Sequence, residues 1–137
     1  PARGGRHHPV GPPWWFRQGP PTGTPLPIQP IAPDVCVAPQ LQPAAMAAAA
    51  AAGFRSVINN RPDFEHGPDQ PTSAEIEAAA RAAGLQYVHL PVAGGYQSPE
   101  EIARCAELLA TLPRPLLMFC RSGARSTKLH HAASQLG

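Results

Sequence analysis

Cys120 is followed by Arg121, Ser122, Gly123, Ala124, Arg125 and Ser126. A thiol, a glycine, hydroxyls and guanidinium groups within seven residues suit nucleophilic attack on an anionic substrate. A thiol attacks only as thiolate, so its pKa must fall below the free value of about 8.5. A loop leading into a helix can achieve this. Successive backbone N–H groups point inward, and the helix N-terminus adds positive potential. Gly123 permits the tight curvature that a side chain obstructs. Arg125 offers a planar fork of donors for a tetrahedral oxyanion or a persulfide. Ser126 can hydrogen-bond the sulfur or a departing thiolate. Arg121, Ser122, Gly123, Ala124 and Ser126 therefore form an anion-binding loop around Cys120, with Arg121 read as a solvated member. The competing reading makes Cys120 a core cysteine at a strand end, but a core cysteine has no need of a Gly-and-Arg loop after it. Cys36 and Cys105 sit within apolar patterns and are read as core residues.

The elements that position this loop follow from the flanking pattern. Pro115 to Phe119 is a short apolar strand, and a helix is expected from Arg125 onward. Residues 28–37 offer one or two short strands, which Pro30 and Pro33 confine to an edge. Pro43 can open a helix through Ala52 that Gly53 closes. Arg55 to Asn60 and Gln86 to Leu90 read as strands. Thr72 with Glu75, and Ser98 with Glu101, have the spacing of capping boxes before helices, and Gly84 closes the first of these. In the second, Ile102, Cys105, Ala106, Leu109 and Leu112 form one apolar stripe. Helices alternating with short apolar strands predict an α/β domain, with a parallel-rich sheet flanked by helices on both faces. Ligands of such sheets bind beyond the carboxyl ends of the strands. Cys120, residues 59–63 and residues 91–96 all fall at that edge.

The chain has 137 residues, which suits one modest core. Ten of its 19 prolines occur by Pro33. Residues 1–25, rich in Pro, Gly and Arg, are read as a disordered extension containing Trp14 and Trp15, and residues 26–137 as the domain. The formal charge is +2, but Arg3, Arg6 and Arg17 precede the first acid, leaving eight basic against nine acidic residues. Such a body gives no footprint for nucleic acid. Three cysteines without C-x-x-C spacing suggest a reduced, cytoplasmic setting. The adjacent pairs His7-His8 and His130-His131 do not share a helix face, so no metal and no cofactor is expected. No apolar run reaches the ~18 residues of a membrane span, and no secretory leader is recognisable. The oligomeric state is not legible.

Residues 26–137 resemble the phosphatase-like domain of the beta-lactamase-hydrolase-like family. The stretches carrying the resemblance are Phe54 to Asp63 (FRSVINNRPD), Val88 to Val92 (VHLPV) and Cys120 to Ser126 (CRSGARS). The resemblance implies a fold similar to that of dual-specificity protein tyrosine phosphatases, with Cys120 as nucleophile and Arg125 as anion binder. It also implies proximity to sulfur-handling enzymes, since family members occur fused to or beside them. Two departures stand out. Tyrosine phosphatases carry five residues between Cys and Arg, whereas four stand here, as in rhodanese sulfurtransferases. They also place an aspartic acid after the strand that here ends at Leu90, yet Val92 to Tyr96 contains no acid. Phosphatases of this kind have further helices after the loop helix, so the resemblance implies more chain beyond residue 137.

A phosphate ester with a poor leaving group needs a proton donor, worth about 10² to 10⁴ in rate. Asp63 is the candidate acid, with Glu65 second; the alternative for Asp63 is a turn-forming role after Pro62. His89 is read as a structural hydrogen-bonder. Three functions are then in play. The leading one is cysteine-dependent phosphomonoester hydrolysis through a phosphocysteine, acting on a small phosphorylated substrate. The second is sulfur transfer through a Cys120 persulfide, with a sulfur-carrying partner. The third is a non-catalytic module binding anions or phosphoproteins.

Overall fold

The computed structural model describes residues 26–65 and 67–136. Residues 1–25, including Trp14 and Trp15, lie outside the described residues. Five strands of four residues each run β1 (Gln29–Ala32), β2 (Val35–Ala38), β3 (Ser56–Asn59), β4 (Gln86–His89) and β5 (Leu116–Phe119). Four helices accompany them: α1 (Ala45–Ala51), α2 (Ser73–Ala82), α3 (Pro99–Thr111) and α4 (Ala124–Leu136). The sheet order is β1-β2-β5-β3-β4. Only β1, at one edge, runs antiparallel to its neighbour; the other pairings are parallel.

The strand sequences explain why the sheet is buried on both faces. Alternate residues point to opposite sides. Cys36 and Ala38 of β2, Val57 of β3 and Leu117 and Phe119 of β5 join Met46 and Ala49 of α1 and Ile76 and Ala80 of α2 in one core. Val35 and Val37 of β2, Ile58 of β3 and Leu116 and Met118 of β5 join Cys105 and Leu108 of α3 and Leu129 and Ala133 of α4 in the other. A central strand apolar at every position is the consequence.

Both capping boxes form. Thr72 Oγ1 accepts from Glu75 N at 3.2 Å while Glu75 Oε1 accepts from Thr72 N at 2.9 Å. Ser98 Oγ accepts from Glu101 N at 3.1 Å and Glu101 Oε1 from Ser98 N at 2.8 Å. Gly84 follows α2 with φ 87°, the left-handed backbone that ends a helix. One expectation is corrected. Pro30 does lie in the edge strand, but β2 is interior, paired with both β1 and β5. Pro33 precedes β2 and so costs the ladder none of that strand's amides.

Parallel pairing in register brings the strand ends together. Ala38 pairs with Phe119, Asn59 with Phe119, and Asn59 with His89. The residues that follow, Pro39, Cys120, Asn60 and Leu90, therefore emerge side by side. Backbone bonds continue across this edge from Cys120 N to Ala38 O (3.3 Å), Asn60 N to Phe119 O (2.8 Å) and Val92 N to Asn60 O (3.0 Å).

Candidate active site

Cys120 lies one residue beyond β5 and Ala124 opens α4, so the loop between them is short. Gly123 has φ 94°, where a side chain is disfavoured. That turn aims Gly123 N back at Cys120 Sγ, 3.0 Å away. Burial pushes the Cys120 thiol up. The Ser126 amide and hydroxyl, with the amides of Gly123 and Ser122, outweigh it and hold the pKa below the ordinary value. Cys36 and Cys105 lack such donors, and burial drives both to about 11. All three are fully buried, so hydrogen bonding, not exposure, distinguishes Cys120. Ser122 and Arg121 are exposed; Ser122 Oγ accepts from Ala124 N at 3.3 Å, capping α4.

Ser126 is fully buried and donates its hydroxyl to Asn60 Oδ1 at 2.9 Å. It also faces the sulfur. A hydroxyl has one proton, so the bond to Asn60 and the bond to the thiolate are alternatives reached by rotation. Asn60 is fixed in turn by its amide nitrogen, which donates to Leu90 O at 2.9 Å. One buried amide thus ties the ends of β3 and β4 to the loop helix. The sequence reading included Asn60 in a matched stretch but gave it no role. A polar residue directly after an apolar strand was the available signal.

Arg125 lies in the first turn of α4 and reaches sideways to the neighbouring loops. Its Nη1 donates to Val92 O at 3.2 Å, and Gln97 Nε2 approaches its carbonyl at 3.4 Å. Its guanidinium also meets Glu65, with Nη1–Oε2 at 3.1 Å and Nη2–Oε1 at 3.3 Å. Glu65 Oε1 accepts from Arg61 Nε as well, at 2.9 Å, and Arg61 Nη1 donates to Gln40 Oε1 at 3.0 Å. Arg61, buried to 5% exposure, was not recognised from the sequence as part of the site. Phe64 and Tyr96, both exposed, flank Glu65 and Gln97 in the chain.

The two acidic candidates are placed differently. Asp63 Oδ1 accepts from Ser73 N at 2.7 Å, so this carboxylate serves the N-terminus of α2. Glu65 is the carboxylate on Arg125. Burial acts to raise the Glu65 pKa, but hydrogen bonds from Arg61 and Arg125 leave it below the ordinary value. His89 Nε2 donates to Arg61 O at 2.8 Å, a structural bond that steadies the β3 loop.

A thiol cradled by loop amides beyond the carboxyl edge of a mostly parallel sheet, with an arginine in the first turn of the following helix, defines a phosphatase-like α/β domain. The chain belongs to the beta-lactamase hydrolase-like protein, phosphatase-like domain family, whose sequence model matches residues 28–137. It is 41% identical over 78 residues to a beta-lactamase hydrolase-like protein of Xylella fastidiosa (strain Temecula1), a match covering 57% of this chain and 18% of that protein. A namesake from Agrobacterium fabrum is 36% identical over 80 residues, covering 58% and 18%. The chain thus spans under a fifth of these curated relatives. Among solved structures, a candidate phosphatase from Neisseria meningitidis aligns with TM-score 0.66 and 30% identity, over 71% of this chain and 68% of that one. The core catalytic domain of the S. cerevisiae PP-IP phosphatase SIW14 shares the fold, at TM-score 0.53 and 14% identity, over 84% and 60%. No helix among the described residues is long and apolar enough to cross a membrane.

Proposed function

We propose that this domain hydrolyses phosphate monoesters of small molecules through Cys120. The Cys120 thiolate attacks phosphorus, an S–P bond forms, and the ester P–O bond breaks. The leaving oxygen takes a proton from Asp63 or, where the leaving group is good, departs as the anion. Water then attacks the phosphocysteine, releasing inorganic phosphate and restoring the thiolate. The loop amides and the Arg125 fork hold the equatorial oxygens as charge develops. The observation that carries this reading is the Gly123 N–H aimed at Cys120 Sγ from 3.0 Å, with Arg125 in the first turn of the helix behind it. Arg121, Ser122, Ala124 and Ser126 complete the loop. Asp63 serves as acid only by releasing Ser73 N.

Sulfur transfer through a Cys120 persulfide is the second reading. It is favoured by the four residues between Cys120 and Arg125 and by the absence of an acid in residues 92–96. Sulfite leaving thiosulfate needs no proton. Intact-mass analysis after separate exposure to p-nitrophenyl phosphate and to thiosulfate decides. A phosphoryl adduct on Cys120 supports hydrolysis, and an added sulfur atom supports transfer. Neither adduct leaves a binding module and overturns both.

A further inference from the structure

Glu65 occupies the ground that a bound oxyanion must contest. Its two carboxylate oxygens engage both terminal nitrogens of Arg125, at 3.1 and 3.3 Å, in the parallel arrangement by which a guanidinium takes a carboxylate or a phosphate. The same carboxylate accepts Arg61 Nε at 2.9 Å. The side chains of Arg61 and Arg125 are 6% and 10% exposed, that of Glu65 29%. A nearly buried guanidinium stripped of its partner is costly, so an arriving anion exchanges with Glu65 instead of finding Arg125 bare. Arg61 supplies a tether, because its Nε can keep one Glu65 oxygen while Arg125 is released.

We propose that Glu65 is a displaceable counter-ion: a tetrahedral oxyanion takes its place on Arg125, and the freed carboxylate takes up a proton as the anion binds. This rests on the reading of Arg125 as an anion binder. Among the described residues, the charged groups that contact Glu65 are Arg61 from its own loop and Arg125 from α4. Together they keep it ionised in the free protein, against the pull of burial. Exchange removes the Arg125 contribution and sets a dianion nearby, and both changes favour the neutral acid. The carboxyl group then has a higher pKa in the complex than in the free protein, so the complex holds more protons. Anion affinity therefore rises as pH falls between those two values and levels off outside them. Glu65 becomes the residue that sets both the affinity of the loop and its pH dependence.

The test is calorimetric titration with inorganic sulfate, whose charge is constant across the range, from about pH 5 to about pH 8 in buffers of unlike ionisation heat. Wild type should bind more tightly toward acid with measurable proton uptake. With Cys120→Ser in both proteins, so that the loop thiolate cannot take up the proton instead, Glu65→Gln should bind on the order of fivefold more tightly at neutral pH, the scale of one partly exposed ion pair, with neither pH dependence nor proton uptake. Wild-type binding without proton uptake overturns the proposal even if the variant misfolds, and so does a variant that binds no better. In either case the anion site itself still stands. Sulfate bound by neither protein overturns the reading of Arg125, and the displacement with it.

Discussion

Alkylation of the three cysteines in the folded protein turns the loop geometry into a rate ratio. Cys36 and Cys105 are held at about 11, and Cys120 below the ordinary 9.0. At pH 7 a thiol at 11 is ionised to about one part in ten thousand and one at 9 to about one in a hundred, so Cys120 holds at least about a hundredfold more thiolate. A lower pKa also makes a weaker nucleophile. With a Brønsted slope of about 0.45, two pH units return roughly eightfold, leaving about a tenfold advantage as a lower bound. Burial is complete at all three sites and does not reverse the order. Iodoacetamide labelling followed by peptide mass analysis should therefore mark Cys120 first at pH 7, and sulfate should slow that site alone. The ratio should shrink as the pH approaches the ~11 of the core thiols, because Cys120 saturates as thiolate before they do. Equal labelling of the three at pH 7, or a ratio that stays constant up to about pH 11, refutes the reasoning.

Arg125→Lys should lower turnover of phosphate esters by about 10² or more, since a point charge cannot replace a fork of donors, measured as kcat/KM with p-nitrophenyl phosphate. Asp63→Asn should leave that substrate untouched, and because asparagine also caps helices, it should leave Tm nearly unchanged; slower hydrolysis of alkyl phosphates alone would identify Asp63 as the acid. Thr72→Ala removes one arm of the capping box at α2 and should cost about 1 kcal/mol, read as a Tm lower by about 4 °C. Ser126→Ala removes a hydroxyl donor to the sulfur, so the midpoint of the Cys120 alkylation profile should move to higher pH; an unmoved midpoint places the hydroxyl with Asn60 alone.

The fold was legible because its signals are local. Thr72 with Glu75 and Ser98 with Glu101 announce two helix starts by spacing alone, and both boxes form as the spacing requires. The unbroken apolar run of residues 115–119 can only be a strand buried on two faces, and β5 is the central strand of the sheet. The interior place of β2 was less legible. Pro30 and Pro33 both precede it, and a proline signals lost amides without saying which strand loses them. Pro33 spends its missing donor in the turn, leaving every residue of β2 buried.

The site divides along the same line. Cys120, Gly123 and Arg125 stand within six residues, so their meeting is a property of one loop and could be read directly. Which carboxylate would reach Arg125 could not. Asp63 and Glu65 are two residues apart, and between them Phe64 turns through φ 60°, a left-handed backbone that sequence gives no reason to expect of phenylalanine. Beyond that turn the two acids part: Asp63 goes to the first amide of α2, Glu65 to two guanidinium groups. Asp63 was read as an acid from its place after a strand, at the sheet edge that carries Cys120. Edge position, however, brings a residue near a site without fixing the direction of its side chain. Arg61 escaped notice for the complementary reason. Arginine is rarely buried unless paired, and of its two partners Glu65 lies four residues on, across the turn at Phe64, while Gln40 follows β2 and meets it only in the folded sheet. The Cys120 loop is thus written in consecutive residues, while the Arg125–Glu65 pair beside it depends on the register of β3 and β5.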